Sequence, residues 1–121
     1  MNTRFDLGLF GSHNSAVAIA IDGIVKEVVE LERWIGLKNA AFAFHFPIDN
    51  PKDVLHDILK YFKVKYNADK YQTVAYNCDN DLHKTIECQS AIYVPHHTAH
   101  CANVLYQSPY NKALVVSFDG G

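Results

Sequence analysis

The chain is 121 residues long, 49% hydrophobic and 20% charged, a makeup that excludes a disordered polymer and suits one globular unit with its own core. Its 11 basic and 13 acidic residues give a net charge of −2 without any basic cluster, which argues against nucleic acid or an anionic membrane as partner. No apolar run reaches the roughly 20 residues that span a bilayer, the opening MNTRFDLGLFGS lacks the features of a signal peptide, and Cys78, Cys88 and Cys101 show no CxxC spacing, so a cytoplasmic chain with reduced thiols is expected.

The first third reads as a meander of strands. RFDLGLFG and SAVAIAID are short, apolar and bounded by turn residues, and IVKEVVELER mixes valine and leucine with charge as a half-exposed strand does. Asp22-Gly23 between the second and third predicts a two-residue type I′ hairpin turn, because both central positions need positive φ. In the second strand Val17, Ile19 and Ile21 share one face and Ala16, Ala18 and Ala20 the other, so a core is expected on one side and a close neighbour on the other.

Farther along, AFAFHF, with Phe42, Phe44 and Phe46 in alternation, reads as a strand or an apolar loop. NPKDVLHDILKYFKVKY carries Val54, Leu55, Ile58, Leu59 and Phe62 on a helical stripe, with Asn50 as cap and Pro51 at the first helical position, and should pack on the sheet. YQTVAYNC predicts a buried strand, NDLHKTIEC a short helix, SAIYV a strand, and the segment from Pro95 a helix of about three turns. Ser108 to Asn111 is a turn and candidate boundary, and ALVVSFDGG is a final strand running into glycines. The expected order is βββαβαβα followed by one strand, an α/β unit over 1–110 with a separate segment at 111–121.

Two stretches hold chemistry. The loop of Gly11, Ser12, His13, Asn14 and Ser15 is either an ordinary polar turn or a cradle whose N–H groups and hydroxyls converge on an anion such as phosphate. In YVPHHTAHCANVLY, Pro95 explains the helix start, since the first turn needs no N–H donor. His96 and His100 are then spaced i, i+4, one turn apart on one face, as in helical motifs where two histidines hold one ion, while His97 points about 100° away toward ligand or solvent. The positive end of the helix dipole biases His96 toward the neutral form that a metal needs. If the last strand returns antiparallel to this helix, Asp119 arrives near His96 as a third ligand, beside Gly120, which lets backbone approach a ligand closely. His45, His56 and His83 are expected at the surface or in local hydrogen bonds, Trp34 at a sheet edge, and Glu32-Arg33 as a solvated pair.

LGLFGSHNSAVAIAIDGIVKEVVELERW together with YVPHHTAHCANVLYQSPYNKALVVSFDGG resembles the N-terminal part of the carbamoyltransferases that modify antibiotics and nodulation factors. These belong to the actin-like ATPase superfamily and are related to the subunit that places threonylcarbamoyl on transfer RNA. The likeness rests on His13-Asn14-Ser15, Asp22-Gly23, Glu32-Arg33-Trp34 with Lys38, His96 to His100, and Asp119-Gly120; the middle of the chain does not share it. It implies a ribonuclease H-like first lobe, with 111–121 as the opening strand and glycine loop of a second. It further implies a divalent metal, iron above others, held by His96, His100 and Asp119. His13 and Lys38 match positions facing the carbamoyl donor, where Lys38 would neutralise phosphate and His13 would orient the donor or take the acceptor's proton.

The substrates of the whole enzyme would be ATP and carbamoyl phosphate, passed through carbamoyl-adenylate to a hydroxyl or amine of a small molecule. On that reading the chain is a fragment that needs its second lobe and an adenylate-forming domain. It would be inactive by itself and prone to self-association through the strand from Ala113 to Phe118. Leu31, Asn14 and Asn39 depart from the family pattern of Glu, Asp and His at those places. Another actin-like activity, such as threonylcarbamoyl transfer or a small-molecule kinase, and a non-catalytic metal-binding lobe are the alternatives.

Overall fold

The computed structural model describes residues 3–43, 47–107, 109, 114 and 116, with backbone only for 103–107. Asp22 and Gly23, at φ 51° and 83°, reverse the chain between two strands as a type I′ turn requires. The strands are β2 (Ala16–Ile21) and β3 (Ile24–Glu30), antiparallel, with a bulge at Ile19/Ala20. β1 (Phe5–Phe10) pairs antiparallel with β2, from Phe5 opposite Ile21 to Phe10 opposite Ala16. Its other side runs parallel to β4 (Tyr71–Asn77), which in turn is parallel to β5 (Cys88–Tyr93). The result is a mixed sheet of five strands in the order β3-β2-β1-β4-β5, within an α/β fold.

Among the described residues three α-helices accompany it: α1 (Leu31–Ile35), α2 (Pro51–Tyr66) and α3 (His96–Gln107). α2 starts at Pro51, whose fixed φ and absent N–H suit a first turn, and ends at Asn67, in the left-handed region at φ 61° with its N–H on the Lys63 carbonyl. Its stripe of Leu55, Ile58 and Phe62 lies buried with Leu7, Leu9, Val17, Ile19 and Val74 of the sheet in one core. Each such side chain contributes about 1.5–3 kcal/mol, an upper figure because the unfolded chain already hides part of its apolar surface.

The elements differ from expectation in three places. The third strand does not run through Arg33 but stops at Glu30, where Leu31 turns inward, fully buried, and opens α1. Leu-Glu-Arg-Trp favours a helix once the ladder ends, and Gly36 at φ 69° closes it with its N–H on the Glu32 carbonyl. The segment after β4 is one 3-10 turn, Leu82–Thr85, rather than an α-helix, because the Thr85 hydroxyl donates to the Leu82 carbonyl and closes the turn locally. The opposite sheet face is not covered among the described residues: Ala16, Ala18, Ala20 and Ala75 are half-buried, and Val25, Val28 and Ile92 are exposed.

Leu114 and Val116 are also exposed, the rest of the expected final strand lies outside the described residues, and so do Phe44, His45 and Phe46. No helix among the described residues is long and apolar enough to cross a membrane. Outside glycine, the described residues with positive φ are Asn14, Asp22, Asn39, Asn67 and Asp81, all with short polar side chains that tolerate this region. Trp34 stacks at a tilt on Tyr61 of α2, with ring centroids 5.6 Å apart, and so pins α1 to α2.

Edge strand β3 is tied to α2 through Glu27, whose carboxylate accepts from the Tyr66 hydroxyl at 2.6 Å, Lys65 Nζ at 2.9 Å and the Tyr61 hydroxyl at 2.7 Å. Those donors, Tyr66 first, hold the Glu27 carboxyl down at about 2. A folded-state pKa below the unfolded value means that the stabilisation is present in full above pH 4.5 and is lost as pH falls toward 2. Urea unfolding should therefore find Glu27→Gln less stable than the parent at pH 7, with the gap closing between pH 4.5 and about 2. A gap independent of pH would show that the ionised carboxylate is not what joins β3 to α2.

Candidate functional site

β1, β4 and β5 run parallel, so their carboxyl ends share one edge of the sheet, where the loops after parallel strands gather. Gly11 extends the ladder there, its N–H on the Asn77 carbonyl at 2.8 Å and its carbonyl accepting from Ala43 N–H at 2.8 Å. A methyl group at Gly11 would collide with Cys78 Sγ and lie 2.8 Å from its Cβ, so only glycine fits. Ser15 is 1% exposed; its hydroxyl donates to the Ser12 carbonyl and accepts from Phe42 N–H at 3.2 Å. The Ser15 carbonyl accepts from Leu31 N–H at 2.9 Å.

Of the five loop residues proposed to meet a ligand, Gly11 and Ser15 thus face the interior, Ser12 is half-buried, and His13 and Asn14 are exposed. Asn14 stands at φ 57°, and its side-chain amide lies 3.2 Å from His13 Nδ1. An amide N–H can only donate, so in this arrangement Nδ1 accepts and a neutral His13 carries its proton on Nε2.

The Phe10 ring brings the two histidine segments to one place: His13 meets it edge-on at 6.1 Å and His96 lies against it at 5.9 Å between centroids. β5 feeds α3 through a short link, in which Val94 N–H bonds the Tyr76 carbonyl, the Asn77 amide donates to the Val94 carbonyl at 2.9 Å, and Ala99 N–H bonds the Pro95 carbonyl. The rings of His96 and His100 stand nearly perpendicular with their Nε2 atoms 3.0 Å apart, and His97 meets His96 edge-on. At that distance the two imidazoles hydrogen-bond each other, one Nε2–H donating and the other Nε2 accepting. Among the described residues no group of three or more His, Cys, Asp or Glu could hold a metal, and Asp119 and Gly120 lie outside them.

Lys38 is elsewhere. It is exposed and lines a hollow of about 920 Å³ between the end of α1 and the start of α2, with Ile35, Leu37, Ile48 and Val54; neither His13 nor His96 lines it. Glu32 is not paired with Arg33: its carboxylate accepts Asn39 N–H at 3.1 Å and shapes the turn holding Lys38, while Arg33 pairs with Glu30 at 2.8 Å. The link to the histidines is indirect, through residues 40–43 and the Phe42–Ser15 hydrogen bond.

Several structural residues escaped sequence reasoning. His83 is buried and stacked on Tyr76 at 3.5 Å, its Nδ1 without a partner among the described residues, where the sequence predicts a surface or locally hydrogen-bonded position. The flat aromatic surface of Tyr76 receives the ring, and no local spacing announces it. His56 is exposed and hydrogen-bonds Thr85, as expected. Asn80 donates to the Phe42 carbonyl and receives the Cys78 thiol, which burial pushes above its ordinary pKa and keeps protonated. The three cysteines are free.

Comparisons of the chain with models of protein families, with curated proteins and with solved structures gave no match.

The loop geometry depends on Ser15 more than on its exposed neighbours. Ser15→Ala leaves Phe42 N–H buried without its acceptor and should lower stability by about 1–3 kcal/mol, whereas Asn14→Gly should shift it by less than about 1 kcal/mol. Urea titration monitored by Trp34 fluorescence checks both, and equal losses would contradict the inward role of Ser15.

Proposed function

We propose that this chain is the first lobe of an actin-like carbamoyltransferase, which uses ATP and carbamoyl phosphate, by way of carbamoyl-adenylate, to carbamoylate a hydroxyl or amine of a small molecule. The observation that carries the reading is the meeting of His13 and His96 on Phe10 at the carboxyl ends of the parallel strands, with His100 Nε2 3.0 Å from His96 Nε2. The strand order β3-β2-β1-β4-β5, antiparallel on one side of β1 and parallel on the other, supports a ribonuclease H-like lobe. His96 and His100, with Asp119, are the residues that would hold a divalent ion, iron by resemblance. Such an ion supplies a Lewis acid for the donor's oxygens.

The chain's own groups have narrower roles. With Nδ1 engaged by Asn14, His13 offers an Nε2–H that donates to a carbonyl or phosphoryl oxygen; it orients the donor rather than removing a proton. Lys38 is a mobile point charge on a flexible stem at the rim of its own hollow, and it would reach the donor phosphate from the side of α1. Ser15 and Gly11 hold the loop backbone in place.

Two titrations of the full chain test this. Cobalt(II), followed by its visible absorption, should bind with one equivalent per chain, and the His96→Ala/His100→Ala double variant should lose at least about tenfold in affinity. A folded double variant that takes up cobalt as well as the parent would remove the metal assignment. Carbamoyl phosphate, followed by amide NMR, should shift the signals of residues 11–15, and Lys38→Ala should weaken that response severalfold. Failure of carbamoyl phosphate to shift residues 11–15 in the metal-loaded chain would overturn the donor site.

A further inference from the structure

The two edges of the sheet are built differently. β3 carries Lys26, Glu27 and Glu30, has a bulge against its neighbour, and is bound to α2 through Glu27. Charges and a bulge are the devices by which an edge strand is kept from pairing with another chain. β5 has none of them: Cys88–Tyr93 reads CQSAIY, with no charge, glycine or proline, and every residue after Cys88 is exposed, Ile92 at 52% and Tyr93 at 55%. It is the last strand of the sheet, with no partner on its outer side among the described residues.

The main-chain pattern fixes how this edge can pair. Val94 N–H points inward to the Tyr76 carbonyl, so by alternation Ser90 and Ile92 also turn their N–H and C=O toward β4. Thr73 N–H, directed to Asp6 Oδ1 on the β1 side, agrees with this phase. Gln89, Ala91 and Tyr93 therefore present their N–H and C=O groups outward. An antiparallel pair across a two-fold axis normal to the sheet keeps the same face on both copies, which centres the pair on a single residue. Centred on Ala91, it sets Ala91 against its own copy and Gln89 against Tyr93, and all the outward groups from Gln89 to Tyr93 are satisfied. The ladder ends by itself at Pro95, the next outward position, which has no N–H.

We infer that β5 is a homodimerisation edge: two copies of this chain join antiparallel through Gln89–Tyr93, about a two-fold axis at Ala91, into one continuous sheet. The strand is uncharged, and a net charge of −2 per copy offers little opposition. The contact involves few residues beside a standard interface of about 1,600 Å², so dimerisation should depend on concentration. The inference is independent of the carbamoyl-transfer reading.

Sedimentation equilibrium of the full chain from micromolar to millimolar concentration is the test. The parent should pass from monomer to dimer over that range. Ala91→Pro removes an outward N–H without touching the bonds to β4, and Gln89→Lys puts a charge on the edge; each should shift the dissociation constant upward by at least tenfold with an unchanged circular dichroism spectrum. If Ala91→Pro unfolds the chain, Gln89→Lys alone decides. The Leu114→Asp/Val116→Asp variant should dimerise as the parent does. A parent that stays monomeric at millimolar concentration, a dimer that survives Gln89→Lys, or a dimer dissolved by the Leu114/Val116 changes would each overturn the inference.

Discussion

The buried hydroxyl of Ser15 governs the geometry of the edge where the parallel strands end. A hydroxyl 1% exposed must find its hydrogen bonds in the protein, and it finds them on the Ser12 carbonyl and Phe42 N–H, while its own carbonyl takes Leu31 N–H. Three segments distant in sequence, the β1–β2 loop, the start of α1 and residues 40–43, are thereby held as one unit. Gly11 completes the arrangement from the other side, where only a missing side chain lets the loop lie against Cys78. Exposed His13 and Asn14 are displayed on this frame, so their positions derive from groups that never meet solvent.

What was legible in the sequence was what is decided locally. Asp22-Gly23 specified its turn, the period of α2 its buried stripe, Pro51 its start and the alternation in β2 its core face, because each depends on neighbours within a few residues. The i, i+4 spacing likewise put His96 and His100 on one helical face. What was not legible was decided by partners far away in the chain. β3 gives way to α1 where Leu31 enters the core shared by the sheet and α2, and His83 is inside because Tyr76 offers it a flat face. Lys38 is set on the hollow between α1 and α2 by the turn that Glu32 shapes through Asn39 N–H, which no spacing rule encodes.

The sheet itself is asymmetric in the same way. One face is closed by α2 and contains the aliphatic core, while the other is lined with Gly8, Ala18, Ala20 and Ala75, small enough to admit a neighbour at short range. Glu27 and Lys65 pair where β3 meets α2, and at the carboxyl-terminal edge the His13 imidazole and the Asn77 and Asn80 amides are accompanied by the exposed carboxylates Asp79 and Asp81 of the loop after β4.

The residues that place the chain in the left-handed region, Asn14, Asp22, Asn39, Asn67 and Asp81, have a consequence for the unfolded state. Each occupies a position where glycine would be free of steric cost, yet each keeps a Cβ, which limits the conformations open to the denatured chain. The reversals at the edge of the sheet and at the end of α2 therefore start from a less disordered ensemble than glycine turns would. Part of what keeps this molecule folded is thus entropy the denatured chain never had, a contribution invisible in any contact of the native structure.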